Sequence, residues 1–317
     1  MRLRLPPADA LAKPVVAPGG DRVRVVLARR DIGTYVPLHC HSYYSFLNST
    51  LSPAALVALA KQNGLSAVAL TDTGNLHGAV EFVQAANEAG VKPILGTQLR
   101  MDGKPLLLYA TSATGYHNLC RLLSRHAELG AKSGDEGSVA AAQRREIHWH
   151  ELSGFTSDVI AAGCDGKLAE LFPNAFYQIV TGAQAGGPFP SVAMPTVHCA
   201  TAEDRKRYDI LQSIRTLTLL QEQNPAKRLG WRLHFRTAKE MNAGCKAHSE
   251  WLRATLEIAE RCNFEFPFGA PQFPAFVPPD GSTAKDFLYQ LVLAGLRSRY
   301  GGRAVSPASD GRVGHHR

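Results

Sequence analysis

The chain has 317 residues, 45% of them hydrophobic, which supports one large buried core and excludes disorder throughout. Lys and Arg outnumber Asp and Glu by 35 to 27, a formal charge of +8 that suits a polyanionic partner such as nucleic acid, though much of the excess lies near the two ends. Six cysteines without CxxC spacing argue against a disulfide framework or zinc ribbon; with no apolar window long enough to cross a bilayer and no signal-like N-terminus, a soluble cytoplasmic protein is expected.

Residues 1–34 mix Pro, Gly and Arg without periodicity and read as a flexible extension. The pattern changes at Tyr35. An apolar strand to Cys40 leads into a helix opened by Ser52 as N-cap and Pro53 in its first turn, and closed by Gly64. LSAVALTD is a buried strand, GAVEFVQAANEA a helix stopped by Gly90, and KPILGTQL the next strand. PLLLYAT, DVIAAGC, AFYQIV and SVAMPTVH follow as strands, with GYHNLCRLLSRHAEL and GKLAELF as intervening helices and residues 130–145 as a surface loop. This alternation predicts a parallel α/β barrel with its chemistry at the strands' C-terminal ends. From Thr201, an N-cap with Asp204 three residues on, TAEDRKRYDILQSIRTLTLLQEQ and SEWLRATLEIAERC read as amphipathic helices; a Pro-rich connector and STAKDFLYQLVLAGLRSRYGG come last.

Alternate strand residues face one side, so His39 and His41 in LHCH can present two imidazoles to one ion. A hydrolytic metal centre needs a third ligand, usually a carboxylate, and Asp72 at the end of LSAVALTD is the natural one. Gln98, Cys164 and His198 also fall at or just beyond strand ends. A second HxH, His148 and His150 in EIHWHEL, lacks a neighbouring strand-end carboxylate and reads as incidental, and His315 and His316 as tail residues. P-loop, GxGxxG, GxSxG and HExxH motifs are absent.

The segment from LHCHSYYSFLNS through TDTGNLHGAVEF to PILGTQL resembles the amino-terminal PHP (polymerase and histidinol phosphatase) domain of the bacterial DNA polymerase III alpha subunit. GYHNLCRLLS, EDRKRYDILQSIRT, LHFRTAKEM, LEIAERCNFEF and PQFPAFVPPDGSTAKDFLYQLVLAGLRSRYG extend the resemblance to roughly residue 301, which favours the polymerase over a stand-alone phosphatase. The resemblance implies a PHP-type distorted seven-stranded (β/α) barrel over 35–200, an adjoining helical region over 201–265, a connector and first helix over 266–302 that lead toward a palm domain, and a non-family tail over 303–317.

It also implies a site. His39, His41, Asp72, Cys164 and His198 match metal-ligand positions, but Thr73, Gln98 and Thr196 stand where the active pattern has His, Glu and Asp. Two anionic ligands are thereby lost, so closely packed dications lose the compensation for their mutual repulsion. A degenerate scaffold is expected, with a single divalent ion, zinc or manganese, as the alternative to none. The expected function is that of a PHP scaffold or binding module of a DNA-directed DNA polymerase in replication, with template-primer DNA and replisome subunits as partners and no small-molecule substrate. The alternative is a residual metal-dependent phosphoesterase or 3'-5' exonuclease. Nucleotidyl transfer in that family resides in the palm, so this chain is expected to be truncated or frameshifted near Gly302 and not to polymerise by itself.

Overall fold

A computed structural model describes residues 35–132, 145–180, 187–269 and 276–301. The expected extension over 1–34, most of the expected loop over 130–145, and the tail with His315 and His316 lie outside the described residues.

Six strands form one curled sheet in sequence order: β1 (Ala67–Thr73), β2 (Lys92–Met101), β3 (Lys104–Ala110), β4 (Val159–Gly163), β5 (Phe176–Ile179) and β6 (Ser191–Val192). β1–β2, β4–β5 and β5–β6 pair in parallel, whereas β3 is antiparallel to both neighbours, which corrects the expectation of a parallel sheet. The cause is local. Asp102 and Gly103 join β2 to β3 with φ of 49° and 71°, the left-handed pair that a two-residue hairpin requires to match strand twist.

The ring closes through less regular chain. His41 N donates to Val197 O at 3.0 Å and Val197 N to His39 O at 2.9 Å; on the other flank Ala69 N donates to Pro37 O and Thr71 N to Cys40 O. The stretch expected as a strand from Tyr35 is therefore an extended stave between β1 and the continuation of β6, with one isolated bridge, Cys40 to Val197. SVAMPTVH is regular strand only at Ser191–Val192, since Pro195 has no N–H to give to a ladder.

Helices α1 (Pro53–Gln62) and α2 (Ala79–Ala89) cover the outer face of β1, packing Leu56, Val57, Phe82 and Val83 on Val68 and Leu70. Their ends are as the sequence dictates: Ser52 accepts from Ala55 N, and Gly90 closes α2 at φ 69°. Helix α3 (Ala113–Lys132) packs Leu119 and Leu122 on Leu106, Leu108 and Ala161, and α4 (Trp149–Leu152) and α5 (Leu168–Leu171) are single turns. The concave side is filled by alternate residues, among them Ala67, Ala69, Ile94, Leu107, Tyr109, Ile160, Ala162 and Tyr177.

Helices α6 (Arg205–Thr216), α7 (Ala238–Gly244) and α8 (Ser249–Arg261) follow. α6 starts later than the expected cap, because Asp204 Oδ2 accepts from both the N–H and the hydroxyl of Thr201 and so closes a turn ahead of the helix. It stops at Leu217, φ 54°, short of the expected end. Ala254, Ile258, Ala259 and Cys262, on and just after α8, join the concave cluster, and Lys92 Nζ at the start of β2 donates to Ala259 O at 2.7 Å. Helix α8 thus supplies the barrel's floor, at the end where β1 and β2 begin.

The chain divides into two compact units at Phe266 and Pro267. In the second, α9 (Ala284–Tyr300) is capped by Thr283, whose hydroxyl accepts from Asp286 N. Among the described residues no helix is long and apolar enough to cross a membrane.

Candidate functional site

The open end of the barrel collects side chains from four chain segments. The stave gives His39 and His41, β1 ends in Asp72 and Thr73, β2 brings Gln98 beside Thr73, and the segment after β6 gives Thr196 and His198. His39, His41 and His198 are all buried. Their rings are close: 5.1 Å between the centroids of His39 and His41, and 4.5 Å between those of His41 and His198, which stack at 5°.

Most of the donors are already engaged. His39 Nε2 lies 2.6 Å from Gln98 Oε1; because an amide oxygen only accepts, Nε2 carries the proton, and Nδ1 accepts from the Thr196 hydroxyl at 3.2 Å. His198 Nε2 lies 2.8 Å from Arg228 Nη1, and its Nδ1 lies 2.5 Å from Asn48 O. A guanidinium cannot accept, so His198 is the Nδ1-protonated tautomer, with Nε2 as acceptor. The His41 ring meets Ser45 Oγ through Nδ1 at 3.1 Å, while its Nε2 is buried without a hydrogen-bond partner.

Asp72 is turned toward the serines rather than toward the imidazoles. Its carboxylate accepts from Ser42 N at 2.7 Å, Ser42 Oγ at 2.6 Å and Ser45 Oγ at 2.7 Å. Burial raises its pKa, and these hydrogen bonds oppose the rise. Cys164 follows β4, whose Ala162 stands across β3 from Gln98; it is half-buried, and burial pushes its thiol pKa up. The second histidine pair lies elsewhere: His148 and His150 stack at 5.9 Å beside a groove of about 580 Å³ that Asp102, Asp165 and Lys167 also line.

Electrostatics at the mouth follow from burial and one fixed cation. Burial pushes His39 down to about 4; the Gln98 hydrogen bond opposes this, and the charge of Arg228 adds to it. His41 and His198 lie well below the ordinary imidazole value, first through burial, then through a neighbouring imidazole, His39 for His41 and His41 for His198, and through Arg228. The three rings are neutral around a guanidinium.

As arranged, these side chains do not fit a divalent ion. Tetrahedral zinc needs nitrogens converging at about 2.0–2.1 Å. Stacked rings such as His41 and His198 hold their lone pairs in parallel planes that do not meet at one point, and the Nε2 atoms of His39 and His198 have other partners. Among the described residues no group of three or more His, Cys, Asp or Glu side chains is placed to hold a metal. Sequence reasoning missed Ser42, Ser45, Asn48 and Arg228. The serines sit in SYYS directly after LHCH, a local polar signal; Arg228 lies 30 residues from its histidine and has none.

Residues 37–185 match the family model described as the PHP domain. Over these residues the barrel is similar to PHP domains. Over most of its length the chain is also similar to bacterial DNA polymerases. An error-prone DNA polymerase of Symbiobacterium thermophilum is 32% identical over 312 residues, covering 84% of this chain and 29% of that protein. The DNA polymerase III subunit alpha of Bacillus subtilis is 31% identical over 298 residues, covering 84% and 26%. An error-prone DNA polymerase of Mycobacterium tuberculosis is 29% identical over 340 residues, covering 94% and 30%. The chain spans between about a quarter and a third of the length of these curated relatives, and the match lies in their amino-terminal PHP region.

Proposed function

We propose that this chain is a PHP module of the DNA polymerase III alpha type that acts as a scaffold or binding element and carries out no hydrolysis at its barrel mouth. One observation carries the reading: the Nε2 atoms of His39 and His198 are held by Gln98 and Arg228, and the Asp72 carboxylate by Ser42 and Ser45. In this reading His39, His41, Asp72, Cys164 and His198 are the remains of a metal site. The polymerase relatives and the basic balance of the chain support template-primer DNA and replisome subunits as partners, and a cytoplasmic location. Polymerisation by the parent type belongs to a palm region outside the matched part.

The second reading, a residual metal-dependent phosphoesterase or 3'-5' exonuclease holding a single zinc or manganese ion, draws on one atom. His41 Nε2 is buried without a hydrogen-bond partner, in a ring that lies against those of His39 and His198. End-labelled single-stranded and duplex DNA, incubated with the purified chain and either ion, separates the two. The scaffold reading expects no cleavage above buffer, whereas cleavage that His39→Ala abolishes would establish the enzyme.

A further inference from the structure

We infer that Arg228 is a resident cation that takes the place of a bound metal ion at the barrel mouth, so that its guanidinium as well as the missing anionic ligands keeps divalent ions out. This rests on the scaffold reading above and gives that reading a second physical cause.

A metal ion and a guanidinium N–H compete for the same lone pair, and at 2.8 Å the Arg228 Nη1 holds that of His198 Nε2. Arginine stays charged at any accessible pH and remains a donor only, so the contact does not lapse by titration. Its charge also faces His39 and His41 and weighs on both. A dication brought among these rings meets like charge at short range inside a poorly solvated pocket.

The placement is built. Arg228 ends the short turn Pro225–Lys227 in a left-handed conformation, φ 49°, that a non-glycine residue adopts only when its surroundings require it. Arg205 fastens the backbone behind it, donating to the carbonyls of Lys227, Arg228 and Trp231. The buried Lys227 ammonium donates to Leu219 O, Leu220 O and Glu222 O at 3.0, 2.8 and 2.6 Å. The Trp231 ring lies 5.8 Å from the Arg228 guanidinium. A loop tied down at so many points delivers one side chain to one position.

Four proteins test the inference: wild type, Gln98→Glu with Thr196→Asp, Arg228→Ala, and all three substitutions together. Zinc and manganese binding is measured by titration calorimetry, with a circular-dichroism melt on each protein to confirm folding. Wild type, the double variant and Arg228→Ala are expected to hold no tight ion, and the triple variant to bind tighter than the double by a factor on the order of 100. Equal binding by the double and triple variants, or a folded triple variant that binds no better than wild type, overturns the role of Arg228. Stoichiometric binding by wild type overturns instead the scaffold reading beneath it. A measurement on wild type alone stands apart from variant folding: long-range ¹H–¹⁵N spectra are expected to show His198 protonated at Nδ1 and bare at Nε2, and a proton on Nε2 contradicts the contact with Arg228.

Discussion

Arg228 Nη1 lies 2.8 Å from His198 Nε2, although 30 residues separate the two along the chain. Together with the Gln98 contact on His39 and the serine contacts on Asp72, it engages most of a set of metal-ligand residue types in hydrogen bonds within the protein. Residue identity alone therefore does not define a metal site here; the direction of each lone pair and the charge beside it decide.

Ser45 is the hub of that network. Its hydroxyl donates to Asp72 Oδ1, accepts from Thr73 N and touches His41 Nδ1. Ser45→Ala leaves a buried carboxylate and a buried amide each short of a partner, a loss expected to cost about 1–3 kcal/mol. Urea unfolding followed by fluorescence checks this; a midpoint equal to that of wild type would show that the hub contributes nothing.

Tyr109 crosses the barrel interior, with its hydroxyl donating to Leu38 O at 2.9 Å. Tyr109→Phe removes only the hydroxyl's contacts, that one and a longer one to Met194 Sδ, and is expected to destabilise by about 1 kcal/mol, whereas Tyr109→Ala also opens a cavity, at roughly 3–5 kcal/mol. Beside it, a Cβ on Gly96 would meet Leu108 O at 2.5 Å and the Tyr109 ring at 2.9 Å, so Gly96→Ala also destabilises. Chemical denaturation of the three variants should rank Tyr109→Phe as the mildest.

Glu151 gives the fold an acid-sensitive point. Its buried carboxylate accepts from Arg145 at 3.0 and 3.2 Å and from His148 N at 3.0 Å, and lies 3.2 Å from His126 Nδ1. Burial by itself raises its pKa, but the His148, His126 and Arg145 contacts outweigh it and hold the value below the ordinary one. A depressed carboxylate contributes fully above its unfolded pKa, about 4.3, and loses that contribution as pH falls through the folded value. The wild-type melting temperature should therefore fall on acidification below that range, and Glu151→Gln should be less stable at neutral pH with a shallower acid slope. An unchanged slope contradicts this.

Where the determining interaction is short in sequence, the fold was legible. Ser52 with Pro53, and the stops at Gly64 and Gly90, set helix ends through their own backbone and side-chain chemistry. The antiparallel β3 was also written locally, in Asp102-Gly103, but the strand–helix alternation around it pointed toward parallel pairing. The floor made by α8 was legible only as an amphipathic helix, because nothing in SEWLRATLEIAERC says which surface its apolar face meets. At the mouth, the residue types of His39, His41, Asp72 and His198 were visible; their partners Gln98, Ser42, Ser45 and Arg228 follow from strand register and loop path.

In the proposed scaffold most of the mouth's donors are engaged within the protein and leave no place for a divalent ion. The most direct test is the metal content of the wild-type chain after loading with zinc or manganese and desalting, read by elemental mass spectrometry. Neither ion is expected to be retained in stoichiometric amount; one firmly held ion per chain, lost in His39→Ala, would contradict the scaffold reading.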